Sequence, residues 1–169
     1  FLSRCQALTM EVSSLVRKLG HESMQIRKHA MSSILFKIKQ KLICIPQLWE
    51  ADLMIFPLLL EWFNYPNAPL QQEVLELVHS ICSAYPDAAS TFTQVGAIPF
   101  FQEMKRHCNI ALKECVGSVL NILLSTPRNE NLVKDVLIRS KTIGEKSVQN
   151  EMQSEASAIV SQRSHDVSE

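Results

Sequence analysis

Two histidines and three cysteines in the middle of the chain are of the types that bind metal ions. They are His79, Cys82, His107, Cys108 and Cys115. Structural zinc sites need closely spaced ligands, typically two cysteines separated by two to four residues. No such pair occurs in this sequence, and a lone cysteine is commonly a small buried hydrophobic residue. We therefore expect no metal and no other cofactor.

Nucleophilic catalysis finds equally little support in the sequence. The five cysteines are odd in number and scattered without a C-x-x-C pair, which is typical of reduced thiols rather than of disulfides. A catalytic Cys or Ser needs a neighbouring His, and no local pattern marks such a pair. The four glycines stand apart, so no glycine-rich phosphate loop is present. The sequence predicts a protein that is not an enzyme.

Charges are separated along the chain, although 17 Lys and Arg balance 17 Asp and Glu. Residues 1–45 carry eight bases and two acids, whereas residues 46–104 carry seven acids and no base. Zero net charge argues against a general affinity for nucleic acid or anionic membranes. Charge blocks on helices favour a face that meets a partner of opposite sign, although ordinary solvated helix faces give the same pattern.

The bases of the first block are the candidate protein-binding residues. They are Arg17, Lys18, Lys28, Lys39 and Lys41. Their expected partner is an acidic protein surface or a second copy of this domain. Nucleic acid is the alternative, but the sequence lacks exposed aromatic residues between the bases, and the acidic block counts against it. No small-molecule substrate is expected.

Arg27 falls within the apolar arc of a predicted helix. An unpaired charge there would cost several kcal/mol, so the side chain needs a carboxylate or several carbonyl partners. We expect a structural ion pair between Arg27 and either Glu61 or Glu73.

The elements that carry these residues are predicted to be helices, because apolar residues recur every three or four positions. No segment shows the period-two alternation of a strand. Gly20 is expected to end the first helix in a left-handed conformation, and Gly117 to mark a close approach of helices. The predicted helical segments are 8–19, 26–42, 46–64 with a break at Pro57, a helix capped by Asn67 and reaching Cys82, 87–95, a helix opened by Pro99, 110–125 and a short one at 129–139.

Helix pairs and triplets that recur about every 40 residues are typical of an α-solenoid. We therefore predict an all-α fold of the armadillo or HEAT type with about three repeats, with a globular helix bundle as the alternative. Residues 95–99, V-G-A-I-P, resemble the segment that joins helices within an armadillo repeat. Residues 120–124 match the L-x-x-L-L docking motif, but a core helix requires the same leucines.

A longer match covers residues 12–125 in collinear order. It consists of R-K-L-G-H at 17–21, I-R at 26–27, L-I-C at 42–44, L-L-E-W-F-N at 59–64 and E-V-L at 73–75. This set resembles the N-terminal armadillo-like region of the rotatin family and its insect members, and L-L-E-W-F-N is its most specific piece.

The resemblance implies a non-enzymatic scaffold module in a large helical-repeat protein of centrioles and ciliary basal bodies. Such proteins are needed for building and maintaining those structures. The implied location is the cytoplasm and cytoskeleton, at the centrosome and the basal body. The implied partners are other centriolar or basal body proteins.

Two regions are expected, an armadillo-like domain at residues 1–139 and a polar linker or tail at residues 140–169. The second region contains seven serines and keeps only a weak helical spacing of apolar residues. The chain begins at Phe1 without a charged segment ahead of an apolar run, so we expect a fragment or a processed start and no secretory signal. The most apolar run, residues 53–60, is too short for the roughly 20 residues that span a bilayer.

Overall fold

Helices form the regular structure of residues 2–127, the part of the chain that the computed structural model describes. No strand occurs within that range, and none of its helices is long and apolar enough to cross a membrane. The helices are α1 Leu2–Lys18, α2 Met24–Lys39, α3 Gln47–Ala51, α4 Ile55–Glu61, followed directly by a 3₁₀ turn at Trp62–Asn64, then α5 Gln71–Ala84, α6 Pro86–Gln94, α7 Ala97–His107 and α8 Ile110–Ser125. The predicted all-α class is confirmed.

The turn between α1 and α2 does not use Gly20 in the expected way. Gly20 is not left-handed, so the prediction of a left-handed cap is wrong. A Cβ at this position would lie 3.0 Å from Cδ2 of Leu58 on α4. The glycine therefore provides space for a neighbouring helix rather than conformational freedom.

α2 buries a face that is rotated from the predicted apolar stripe. The buried side chains of this helix are Arg27, Ala30, Met31 and Ile34. Ile26 is exposed, although it belonged to the predicted stripe. Among the described helices, α2 packs mainly against α1, and the side of α2 that faces away from α1 is exposed.

Pro57 does not break the helix in which it lies. The interruption comes earlier, at residues 52–54, and Pro57 is the third residue of α4. The first four amides of a helix have no acceptor within it, so a proline in this turn removes no hydrogen bond. Pro99 is likewise the third residue of α7, and it lies in the first turn as predicted.

Most of the remaining helix limits agree with the sequence pattern. α8 has the predicted bounds, and Pro86 is the first residue of α6. Gly96 precedes α7 in a left-handed conformation, with φ of 93°. α5 starts later than expected, at Gln71. Asn67 does not cap it, because the residue before its first turn is Leu70, itself left-handed.

Two helix triplets repeat along the chain. α3, α4 and α5 form the first, and α6, α7 and α8 form the second. Gln47 and Pro86, the first residues of α3 and α6, are 39 residues apart, as are Gln71 and Ile110, the first residues of α5 and α8. The long third helices, α5 and α8, pack against each other, and α1 with α2 precedes the triplets. This arrangement confirms the armadillo-like helical repeat.

Aromatic rings fill the core between the triplets. Phe56 of α4 meets Phe92 of α6 edge to face, with ring centroids 5.0 Å apart. Trp49 of α3 contacts both Phe56 and Tyr85. These rings belong to four different segments of the chain, so the apolar core is continuous from the first triplet into the second. The helix predicted at 129–139 and the tail predicted at 140–169 lie outside the described residues.

Candidate protein-interaction surface

The outer face of α2 is basic because this helix contains no Asp or Glu. Lys28 and Lys39 are exposed there, and neither forms an ion pair within the described part of the chain. They are 11 residues apart, which places them about 16 Å apart along the helix axis and on nearly the same side. Phe36 lies in the same outer face, and its side chain is 58% exposed. An apolar side chain bordered by cations suits an acidic partner that carries an apolar residue.

Lys41 follows this face just beyond the end of α2. Its backbone is left-handed, with φ of 56°, and its side chain is exposed. A hydrogen bond from its amide to the Ile38 carbonyl, 3.0 Å long, closes the end of the helix. Lys39 and Lys41 therefore belong to the same end of α2, whereas Lys28 lies near its beginning.

Arg17 and Lys18 belong to a different depression, which runs along α1. This open groove has a volume of about 590 Å³ and is also lined by His21 and Met10. Arg17 contacts Asp52, with its Nε 3.5 Å from Oδ2. The pairing is weak because the Arg17 side chain is mostly exposed to solvent.

The five predicted bases are thus all exposed but fall into two groups, one on α1 and one on α2. The sequence did not single out Phe36 or Met10 as parts of these surfaces. Met10 could not be identified because helical spacing alone does not show which neighbours cover an α1 side chain. Phe36 had a usable signal, since it lies opposite the buried face of α2 on a helical wheel.

One base of the first block is not available to a partner. Lys37 Nζ lies 2.7 Å from Oε1 of Glu11, and this ion pair joins α2 to α1. It places the end of α2 beside the middle of α1. The charge of Lys37 is used within the domain, which leaves the outward lysines as the basic surface.

Arg27 is buried, as its position predicted, but its partners are not the expected acids. The guanidinium Nη1 donates hydrogen bonds to the carbonyl oxygens of His21 and Glu22, each 2.8 Å long. Its Cζ lies 3.6 Å from the centroid of the Tyr65 ring.

Neither expected acid is near enough to replace those partners. The side chains of Glu61 and Glu73 are exposed, and no ion pair within residues 2–127 joins either of them to Arg27. The prediction of a carboxylate partner is corrected to carbonyl partners and an aromatic ring. Two carbonyl oxygens in a turn solvate the charge without a second ion having to be desolvated.

The cysteines and histidines do not assemble into a reactive centre within the described residues. Burial raises the pKa of the Cys82 thiol to about 12, so this thiol is protonated at neutral pH. Burial and the nearby Glu76 carboxylate raise the pKa of Cys115 as well. No group of three or more His, Cys, Asp or Glu side chains in residues 2–127 could hold a metal ion.

The exposed His107 has a local partner of a different kind. Its Nε2 lies 2.8 Å from Oε1 of Glu103, one turn earlier on α7. This hydrogen bond, followed by the charge of Arg106, lowers the pKa of the Glu103 carboxyl. Both side chains are exposed, so the pair is a surface interaction at the end of α7.

The L-x-x-L-L segment divides between core and surface. Leu120 and Leu123 are buried, as expected of a core helix, whereas Leu124 is 63% exposed. A docking motif would present all three leucines to a partner. Only the last of them is available here.

Stacked helix triplets with an exposed basic face define the class of the protein as an armadillo-like helical-repeat domain. The family described as "Rotatin, an armadillo repeat protein, centriole functioning" matches residues 25–123, which is more than half of the chain. The chain therefore belongs to the rotatin N-terminal family, as its sequence motifs predicted.

Two curated relatives support this assignment. Human Rotatin is 36% identical over 118 residues, and mouse Rotatin is 35% identical over 118 residues. Each match covers 70% of this chain and 5% of the relative. The chain thus spans about 5% of the length of the curated relatives it matches.

Proposed function

We propose that this chain is a non-enzymatic protein-interaction scaffold module of a centriole and basal body protein, needed for centriole assembly and maintenance. The family description, which names an armadillo repeat protein and centriole functioning, supports the cellular setting. The proposed locations are the centrosome and the ciliary basal body, and the proposed partners are proteins of those structures.

The observation that carries the proposed binding role is the outer face of α2. A helix of 16 residues without one acid, with exposed Lys28 and Lys39 on the same side, presents positive charge that no described residue neutralises. Helical repeats bind partners through such extended faces, with contributions from many residues. Arg17 and Lys18 form a second group of exposed bases on α1.

The test uses the full 169-residue chain, tagged and expressed in ciliated cells. The wild-type chain is expected to concentrate at centrioles and to retain centriolar proteins in a pull-down from nuclease-treated lysate at physiological salt. A variant with Lys28→Glu and Lys39→Glu is expected to recover at least about tenfold less centriolar protein. Each change replaces an attraction to an acidic partner with a repulsion.

A matched control changes two exposed lysines on other helices, Lys105→Glu and Lys113→Glu. It alters net charge by the same amount and is expected to keep centriolar recovery. Equal losses in both variants would contradict a specific role for the α2 face. Circular dichroism of each purified variant shows whether the helical fold has been kept.

Nucleic acid binding by the basic residues 17–41 is the alternative function, together with a generic adaptor role. It predicts that recovery disappears on nuclease treatment and that binding to a duplex or single strand falls steeply with salt. The absence of aromatic side chains other than Phe36 on α2 disfavours it, because single-strand binding relies on several stacking rings.

A further inference from the structure

A pocket with aromatic walls lies between the 3₁₀ turn after α4 and helix α7. Its volume is about 330 Å³. Phe63, Phe100 and Met104 form its apolar part, and all three side chains are partly buried. The ring centroids of Phe63 and Phe100 are 6.4 Å apart, and Phe100 meets Phe101 edge to face at 5.4 Å. Cavities of about 300–1,000 Å³ hold small ligands, so this pocket has room for one aromatic side chain.

Polar side chains complete the lining of the pocket. They are Asn64, Gln71, Glu103 and His107. Glu103 is exposed, and its contacts with Arg106 and His107 are surface interactions that leave its carboxylate accessible. Glu61, which is also exposed, precedes Asn64 by three residues and so lies on the same side of the continuous helical backbone. The pocket therefore combines aromatic rings with neighbouring carboxylates.

Phe36 on α2 has the chemistry that complements this pocket. It is the one exposed aromatic side chain in residues 4–127, with 58% of its surface exposed. Lys39 follows it by three residues, so the ammonium group lies beside the ring on the same helix face. No residue of α2 lines the pocket, so Phe36 and the pocket belong to different parts of the domain.

We propose that Phe36 of one copy of the chain enters this pocket in a second copy, where Lys39 meets the Glu103 carboxylate. The inference rests on the binding role proposed above for the α2 face, and it names a partner for that face. Each copy offers one α2 face and one pocket. The contact is therefore head to tail, and repetition of it links copies into an open chain or a ring.

The distribution of charge along the chain favours a second copy as the partner. Residues 46–104, which supply most of the pocket lining, contain seven acids and no Lys or Arg, and six of those acids are exposed. Residues 1–45 contain eight bases and two acids. One chain thus carries two surfaces of opposite sign, which attract each other between copies. Contact between two α2 faces would instead bring Lys28 and Lys39 against bases of the same sign.

The aromatic contact supplies the specificity of this association. The Phe36 ring would extend the cluster of Phe63, Phe100 and Phe101, whose members already meet at tilted or edge-to-face angles. An aromatic side chain that fills a pocket and is surrounded by polar groups is typical of a binding hot spot. A contact built on one ring and a few charges is small, so we expect weak and reversible association in the micromolar range.

The test is sedimentation equilibrium of the purified 169-residue chain at increasing concentration. The average mass of the wild-type chain is expected to rise with concentration. Phe36→Glu removes the ring and places an acid on the α2 face. Asn64→Arg with Glu103→Arg narrows the pocket and makes it repel Lys39. Each of these two variants alone is expected to associate at least about tenfold more weakly than the wild type.

An equal mixture of the two variants distinguishes the proposed contact from other modes of association. The Phe36→Glu chain keeps its pocket, and the pocket variant keeps Phe36, so one contact can form between them. The mixture is expected to form a 1:1 dimer with nearly wild-type affinity, and its mass should stop rising at twice that of one chain. Contact between two α2 faces or between two pockets cannot give this result.

Matched controls make the same chemical changes on α8, outside the pocket. Ile110→Glu replaces an apolar side chain that is 82% exposed with an acid. Asn121→Arg with Glu114→Arg changes two exposed residues and alters the net charge as much as the pocket variant does. Both controls are expected to associate like the wild type. Circular dichroism of every variant shows whether the helical fold has been kept.

Several results would overturn the proposal. A wild-type chain that stays monomeric at millimolar concentration would do so, as would a mixture of the two variants that stays monomeric. Equal weakening in the controls would show that net charge alone drives association. A monomeric chain that still recovers centriolar proteins through its α2 lysines would refute self-association and leave the proposed function intact. Loss of both activities would reject the α2 face as a binding surface.

Discussion

Arg27 links the turn after α1 to the residue that follows the 3₁₀ turn. Its hydrogen bonds to the His21 and Glu22 carbonyls and its contact with the Tyr65 ring join two segments that are far apart in sequence. Because the side chain is 7% exposed, water cannot replace these partners. The residue acts as a structural clamp between α2 and the first triplet.

Arg27→Met tests this role. The methionine keeps the apolar bulk but leaves the two carbonyl oxygens without a donor, so we expect a loss of about 2–3 kcal/mol in the free energy of unfolding. Glu61→Gln and Glu73→Gln should each change it by less than about 0.5 kcal/mol, because both acids are exposed. Urea denaturation of the three variants measures these differences.

Tyr65→Leu provides the control for the ring contact. It should cost less than Arg27→Met, since a cation over an aromatic ring contributes about 0.5–2 kcal/mol. A loss for Glu61→Gln or Glu73→Gln as large as that for Arg27→Met would restore the ion pair that the sequence suggested.

The sequence could predict that Arg27 is buried but not what it contacts. Burial follows from helical periodicity, because Arg27 shares a face with Ala30 and Ile34. The partners depend on the conformation of the turn at residues 21–22 and on the position of Tyr65. Neither can be deduced from the spacing of residues along a helix. The sequence therefore suggested an ion pair with Glu61 or Glu73, which was incorrect.

The exposed bases show the same division between local and long-range information. Their exposure follows from helix faces, whereas their separation into an α1 group and an α2 group depends on how the two helices pack. The Lys37–Glu11 ion pair, which is one contact of that packing, joins residues 26 positions apart in the sequence. The helical repeat of the sequence does not show that Lys37 and Glu11 lie close together.

At the scale of the element, a proline lies in the first turn of three triplet helices, α4, α6 and α7. Pro57 and Pro99 occupy the third position of α4 and α7, and Pro86 is the first residue of α6. Among these three prolines, only Pro57 was misjudged from the sequence. A proline within an apolar run looks like an interruption unless the start of its helix is already known.

Gly96 is the one glycine in residues 2–127 that is left-handed, and it immediately precedes α7. No atom of the described residues lies within 4 Å of an added Cβ, so a substitution there meets conformational strain and no steric clash with them. Gly96→Ala is expected to destabilise the domain by about 1 kcal/mol, because the Cβ of alanine makes the left-handed conformation unfavourable. Thermal or urea denaturation measures the loss.

Gly96→Asn is the matched control for that prediction. Asparagine tolerates the left-handed region better than alanine, so its loss should be smaller. If alanine were as stable as glycine, the turn between α6 and α7 would have to relax out of the left-handed conformation. The order glycine, asparagine, alanine is therefore the expected order of stability.

At the scale of the whole molecule, the described domain combines a continuous apolar core with separated surface charges. The core passes from one triplet to the next through aromatic rings. Most charged side chains of residues 4–127 lie at the surface. The sequence predicted both features, because the apolar content and the positions of charged residues can be read directly from it. It could not predict which rings meet, since those contacts join helices of different triplets.

Phe56 and Phe92 provide the clearest of those contacts, and they test whether the two triplets unfold together. Phe56→Leu and Phe92→Leu should each destabilise the domain by about 1–3 kcal/mol. The double variant should lose less than the sum, by a coupling of about 0.5–1.5 kcal/mol, because the edge-to-face contact is removed only once. Phe36→Leu, on the exposed face of α2, should show no coupling with Phe92→Leu.

The unfolding curves give the decisive comparison. Trp49 and Trp62 both lie in the first triplet, so their fluorescence follows that part of the molecule, whereas far-ultraviolet circular dichroism follows all the helices. If the aromatic core makes one cooperative unit, the two signals of the wild-type chain coincide. Separate transitions, together with additive losses at Phe56 and Phe92, would show that each triplet unfolds independently and that the ring contact does not couple them.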